Sequence, residues 1–232
     1  MPECSRSRRG GAGDATVTAA GGAAVGARRA WYAGGAMTIK AWAVKPGELR
    51  RLTRGPRLVW AARCAMRVEA WRPPGVEADW DAGLARLVSA VAAAPGTVEV
   101  AALARAISDR GARASNQRDG TAAEALGRCM NYATQALAGA LAATAVADGP
   151  ALAKAVIDVA KLAGSIPAVL AHAGQTEAPP GHDQVEFAAL AIWGAMRADL
   201  AACATLAAPA TVAAVRALAP LWPSGSQAWL PR

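Results

Sequence analysis

Histidine and the ring-bearing residues other than tryptophan are scarce in this chain, with two His, two Tyr and one Phe among 232 residues. Two histidines cannot build a three-histidine metal centre. His172 and His182 flank a Pro-Pro-Gly loop, so spacing assembles neither a zinc site nor a Ser-His-acid trio. The shortage of Phe and Tyr also weighs against sheet, which favours β-branched and aromatic residues. Cysteine is sparse too. Cys4, Cys64, Cys129 and Cys203 form no C-x-x-C pair, and without a secretory signal they are expected to be reduced thiols of a cytoplasmic protein. The glycine pairs Gly10-Gly11, Gly21-Gly22 and Gly34-Gly35 lack the Lys-Ser/Thr ending of a phosphate loop. These absences predict no catalytic residue, no cofactor and no metal.

What is abundant is alanine, within a hydrophobic content of 54%. Small, helix-favouring side chains suit helices that approach one another closely. The formal net charge of +8 is unevenly placed. Residues 1–36 and 37–72 carry +3 and +7, whereas Pro73 to Arg232 carries −2. The body is therefore nearly neutral and offers no broad phosphate-binding face; an electrostatic partner would meet the N-terminal part.

Residues 1–36, rich in Gly, Ala and Arg and without a period, are expected to be a disordered or mis-annotated N-terminal extension, with residues 37–232 forming a single helical domain. From Met37 onward, apolar residues recur at steps of three and four. Seams run through Leu58, Ala61, Ala65 and Val68; through Val76, Trp80, Leu84, Leu87 and Val91; and through Val100, Leu103, Ile107 and Ala114. Pro73-Pro74-Gly75, Pro95-Gly96 and Asp148-Gly149-Pro150 separate helices, and Thr97 is expected to cap the third of them. Thr121 and Glu124 make a capping box for a helix over Ala122–Ala147. Its uncharged run from Cys129 to Ala147 is long enough to raise a membrane span, but its polar interruptions and many Ala residues predict a central packed helix instead. A helix from Ala151 with Pro167 as a kink or break, another from Asp183 to Ala208 and a short one over Thr211–Leu218 complete the pattern. The predicted fold is all-α: an Ala-rich bundle of about six to eight helices, with no sheet.

One stretch stands out. Trp60, Arg63, Arg67 and Trp71 lie at steps of three and four beside the apolar seam of their helix, with Arg50, Arg51, Arg54 and Arg57 just upstream. Trp and Arg dominate binding hot spots, so these four are the candidate partner-binding residues. The alternative packs both tryptophans in the core, with the arginines solvated or stacked on the rings.

The run Leu58-Val59-Trp60-Ala61-Ala62-Arg63-Cys64-Ala65-Met66-Arg67-Val68 resembles the opening helix of an immunity-five-like family of bacterial toxin systems, in which Trp-Ala-Ala precedes a Cys-Ala-x-Arg-Val motif. The resemblance covers about a dozen residues and implies a small cytoplasmic helical protein that binds and neutralises a toxin. The leading expectation is thus a non-catalytic helical protein-binding module with a protein partner and no membrane. Two rivals stand beside it: a helical enzyme or effector component with an inter-helix site drawing on His172, His182 or Glu186, and a nucleic-acid-associated protein using the N-terminal Arg cluster.

Overall fold

The breaks read from the sequence separate real helices. A computed structural model describes residues 43–114, 122–174 and 184–206, all within one unit that spans Ile39–Arg232. Among the described residues there are seven α-helices and no strand: α1 (Pro46–Leu49), α2 (Arg54–Arg67), α3 (Glu77–Val91), α4 (Ala101–Ala114), α5 (Ala122–Thr144), α6 (Pro150–His172) and α7 (Gln184–Ala204), with a 3-10 turn over Glu69–Trp71. The fold is the expected all-α bundle. The N-terminal extension, Thr121 and the short helix expected at Thr211–Leu218 lie outside the described residues.

Three local details go beyond or against the sequence reading. Thr97 does not cap α4, because its hydroxyl donates back to the Ala94 carbonyl at 2.7 Å. The helix begins at Ala101, whose N–H is taken at 3.0 Å by the Glu99 carboxylate instead. Pro167 does not divide α6, which runs unbroken to His172. It ends where Gly174 turns to a φ of +70, a left-handed position that suits a residue without Cβ. The single turn α1, which the apolar period does not reveal, is held by Glu48: its carboxylate accepts the Lys45 N–H at 2.9 Å and both terminal nitrogens of Arg197 at 3.0 and 3.2 Å. Burial works against ionisation of Glu48, but the Lys45 N–H and Arg197 outweigh it and hold the carboxyl below its ordinary range.

The core is organised around α2, which packs against α3, α5, α6 and α7. No residue from Arg54 to Arg67 is exposed, and Leu58, Val59, Trp60 and the alanines Ala61, Ala62 and Ala65 are fully buried. Each large side chain so buried contributes ~1.5–3 kcal/mol. The helix from Ala122 is packed on several sides as expected, lying between α4 and α6 and touching α2 and α3. It runs antiparallel to α6, since Cys129 Sγ lies 3.8 Å from the Ile166 carbonyl while Gly139 lies against Val159. Small residues set these distances. A Cβ on Gly111 of α4 would stand 1.6 Å from Thr134 Oγ1 of α5, so that contact exists only with glycine. By length and composition α6, rather than α5, is the one described helix apolar enough to cross a membrane, yet 56% of that stretch is buried inside the protein.

Candidate functional site

The residues singled out in the sequence come together, but inside the molecule. Trp60, Arg63, Arg67 and Trp71 are 0, 3, 3 and 1% exposed. Expected as an outward contact face, they form an inward one, because α2, which carries the first three, packs against α7 and α5 and the 3-10 turn that carries Trp71 packs against α5. Trp60 Nε1 donates to the Met196 carbonyl at 2.7 Å. One turn further, Arg63 reaches Asp199 Oδ1 at 3.1 Å, and Arg67 grips Oδ2 through Nε at 2.9 Å and Nη2 at 2.7 Å. Arg67 also donates to the Ala195 carbonyl at 3.3 Å. The result is a buried seam of two guanidiniums on one carboxylate, itself 5% exposed, that ties α2 to α7. The i, i+4 spacing of the arginines on α2 places both forks on one acid of the facing helix.

Sequence reasoning missed Asp199. The signal was present: a lone acid among Met196, Leu200 and Cys203, on the apolar stripe of a helix with few charges. An acid in such a stripe has to be paired or lose its charge.

The seam is chemically quiet. Burial depresses the Arg67 guanidinium against the pull of Asp199, and the same burial, with Asp199 beside it, raises the Cys64 thiol. Burial likewise pushes the Cys203 and Cys129 thiols up to about 12, so all three are protonated at neutral pH and do not act as nucleophiles.

The upstream arginines are also spent on structure. Arg54 donates to the Ala93 carbonyl at 2.9 Å and the Thr144 carbonyl at 2.6 Å, closing the C-terminal ends of α3 and α5. Arg57, 5% exposed, donates to the Leu49 carbonyl at the end of α1 and pairs with Asp148 at 2.6 Å. Guanidiniums suit this position, where helix-end carbonyls lack partners and the dipole is negative. Of the four upstream arginines expected to reach a nucleic acid, only Arg50 and Arg51 are exposed.

His172 is exposed at the end of α6. His182 lies outside the described residues and nothing is described of the Glu186 side chain. Among the described residues, no group of three or more His, Cys, Asp or Glu side chains is placed to hold a metal.

Among the described residues, two clefts on the exterior can be traced. One, of about 510 Å³, lies between the Pro73–Val76 loop, Arg110 and Arg113 of α4, and Met130 of α5; Arg110 is already committed to Asp79 at 2.6 Å. The other, of about 340 Å³, lies between α5, α6 and α7. Its walls are mainly apolar, with Ala168, Val169, Ala189 and Trp193, and its polar groups are Tyr132, Lys161, Ser165 and His172. Comparison with protein-family models, with curated proteins and with solved structures returned no match.

Proposed function

We propose that this chain is a non-catalytic helical protein-binding module of the cytoplasm, whose contact surface is the cleft between α5, α6 and α7. The observation that carries the reading is that cleft: an apolar recess, walled by Trp193 and Val169, on a bundle whose arginines Arg54, Arg57 and Arg67 are engaged in cross-linking helices. Recesses of this kind receive the anchor side chain that dominates many protein interfaces. Among the described residues the three cysteines are free and buried, which accords with a reducing compartment. The immunity-like resemblance would make the partner a bacterial toxin. Its residues form the buried helix α2, so it bears on the scaffold rather than on the contact surface.

The test is affinity capture by the full-length protein from cells that produce it, with Ala168→Glu placing a charge in the cleft and Arg51→Glu as a surface control outside it. Helical circular dichroism of both variants checks folding. The expected result is a protein retained by the wild type and by Arg51→Glu but depleted by about tenfold or more with Ala168→Glu. Equal capture by all three proteins would sink the reading.

A further inference from the structure

The cleft between α5, α6 and α7 has one wall that is not a helix. Ala43, ahead of the α1 cap Lys45, lines it together with Gly164 and Trp193. Ala189, Trp193 and Arg197 follow at steps of four along one side of α7, so Arg197 stands one turn beyond the tryptophan of the cleft. From there its guanidinium crosses to the incoming chain. Nη1 donates to Glu48 Oε2 at 3.0 Å, and Nη2 donates to Glu48 Oε1 at 3.2 Å and to the Ala43 carbonyl at 3.4 Å. One side chain of α7 thus holds both ends of the segment from Ala43 to Glu48 at the edge of the cleft.

The chain entering α1 and the chain leaving it are anchored differently. At the exit, Arg57 donates to the Leu49 carbonyl at 2.8 Å and to the Arg50 carbonyl at 3.2 Å, with Leu49 fully buried and Arg57 5% exposed. Water hardly reaches that anchor. At the entry, the Arg197 and Glu48 side chains keep 31 and 36% exposure. An ion pair open to solvent contributes ~0.2–1 kcal/mol and is weakened by salt, whereas buried contacts are screened much less. Packing adds little there, since Val44 is the one buried side chain from Ala43 to Glu48 and Lys45, Pro46 and Gly47 are exposed.

We infer that Arg197 and Glu48 form a latch on the cleft. Closed, it holds Ala43 as part of the wall. Open, the segment from Ala43 to Glu48 swings about the fixed Leu49 and the cleft widens towards Arg197. The latch governs the width of the cleft and is independent of whether a protein binds there.

The test uses the full-length ¹⁵N-labelled protein. Two signals are followed: solvent exchange of the Arg50 amide, which bonds the Pro46 carbonyl at 3.1 Å across the turn, and the indole N–H resonance of Trp193, assigned with Trp193→Phe. Glu48→Gln keeps the shape of the side chain and removes its charge. The expected result, at about 50 mM NaCl, is exchange about threefold faster than in the wild type together with a shifted Trp193 resonance. Raising NaCl to about 0.5 M should move the wild type towards the variant on both signals and leave the variant where it is. Glu69→Gln, which cuts the similarly exposed pair with Arg72 at 3.1 Å, is the control and should move neither. Unchanged exchange in Glu48→Gln overturns the latch. Faster exchange with an unmoved Trp193 resonance overturns its hold on the cleft, and an equal response in Glu69→Gln overturns both. The Ala168→Glu capture experiment decides the protein-binding reading separately.

Discussion

Helix α7 presents opposite environments on two of its sides. Towards α2 it offers the Met196 carbonyl, which takes the Trp60 indole N–H, and the Asp199 carboxylate, which takes two guanidiniums. Towards α6 it offers Trp193, whose ring leans on Gly164 and walls an apolar cleft that opens to the exterior. One side is therefore a cross-link and the other a receptor-like trough. The difference teaches that residue type does not separate the two. Tryptophan occurs on both sides, and only the neighbours brought by other helices decide whether it is buried in a polar cross-link or walls an open cleft.

Substitutions on the two sides sharpen that contrast. The largest effect is expected from Asp199→Ala, which strands two buried guanidiniums and lowers unfolding free energy by ~3–5 kcal/mol. A loss of less than a quarter of that, read as unfolding free energy from urea titration, would mean that the seam is solvated. Next comes a matched pair. Trp60→Phe and Trp193→Phe both remove buried ring volume, but Trp60→Phe also removes a bonded N–H and is expected to cost ~0.5–1.5 kcal/mol more than Trp193→Phe. Equal losses in the two variants would erase the distinction drawn between the seam and the cleft. The third effect vanishes at neutral pH. Cys203 and Cys129 have folded-state values of about 12 against an ordinary 9.0, so the folded protein retains protons that the unfolded one has lost. Their contribution is complete below pH 9 and is lost as pH rises towards 12. The alkaline fall in urea midpoint should therefore flatten in Cys203→Ala and in Cys129→Ala, each compared with its own midpoint at neutral pH.

Much of the helix layout was legible because helix stops are local. Pro73-Pro74, Pro95-Gly96 and Asp148-Gly149-Pro150 interrupt the backbone pattern wherever they fall, and α3, α5 and α6 begin or end beside them. The Trp60–Trp71 row was legible as a row, since steps of three and four put residues on one side of a helix. What that side meets was not, because the meeting partner Asp199 is 132 residues from Arg67. Trp and Arg read equally well as an interface anchor and as a core clamp. The cleft was illegible for the same reason: Tyr132, Lys161 and Trp193 belong to three helices, and no periodicity within one helix marks a gap between several.

The sequence by itself determined that this protein is helical, where most helices stop, and that its excess positive charge sits before Pro73. These follow from backbone propensity, side-chain spacing and arithmetic, which need no distant contact. Only the tertiary structure decided that α2, with Arg54, Arg57, Arg63 and Arg67, is the innermost helix. A guanidinium can be taken from water only when carbonyls and carboxylates are already arranged to receive it, and here they come from the ends of α1, α3 and α5 and from α7. The same assembly left an apolar recess walled by Trp193 and Val169 open at the surface.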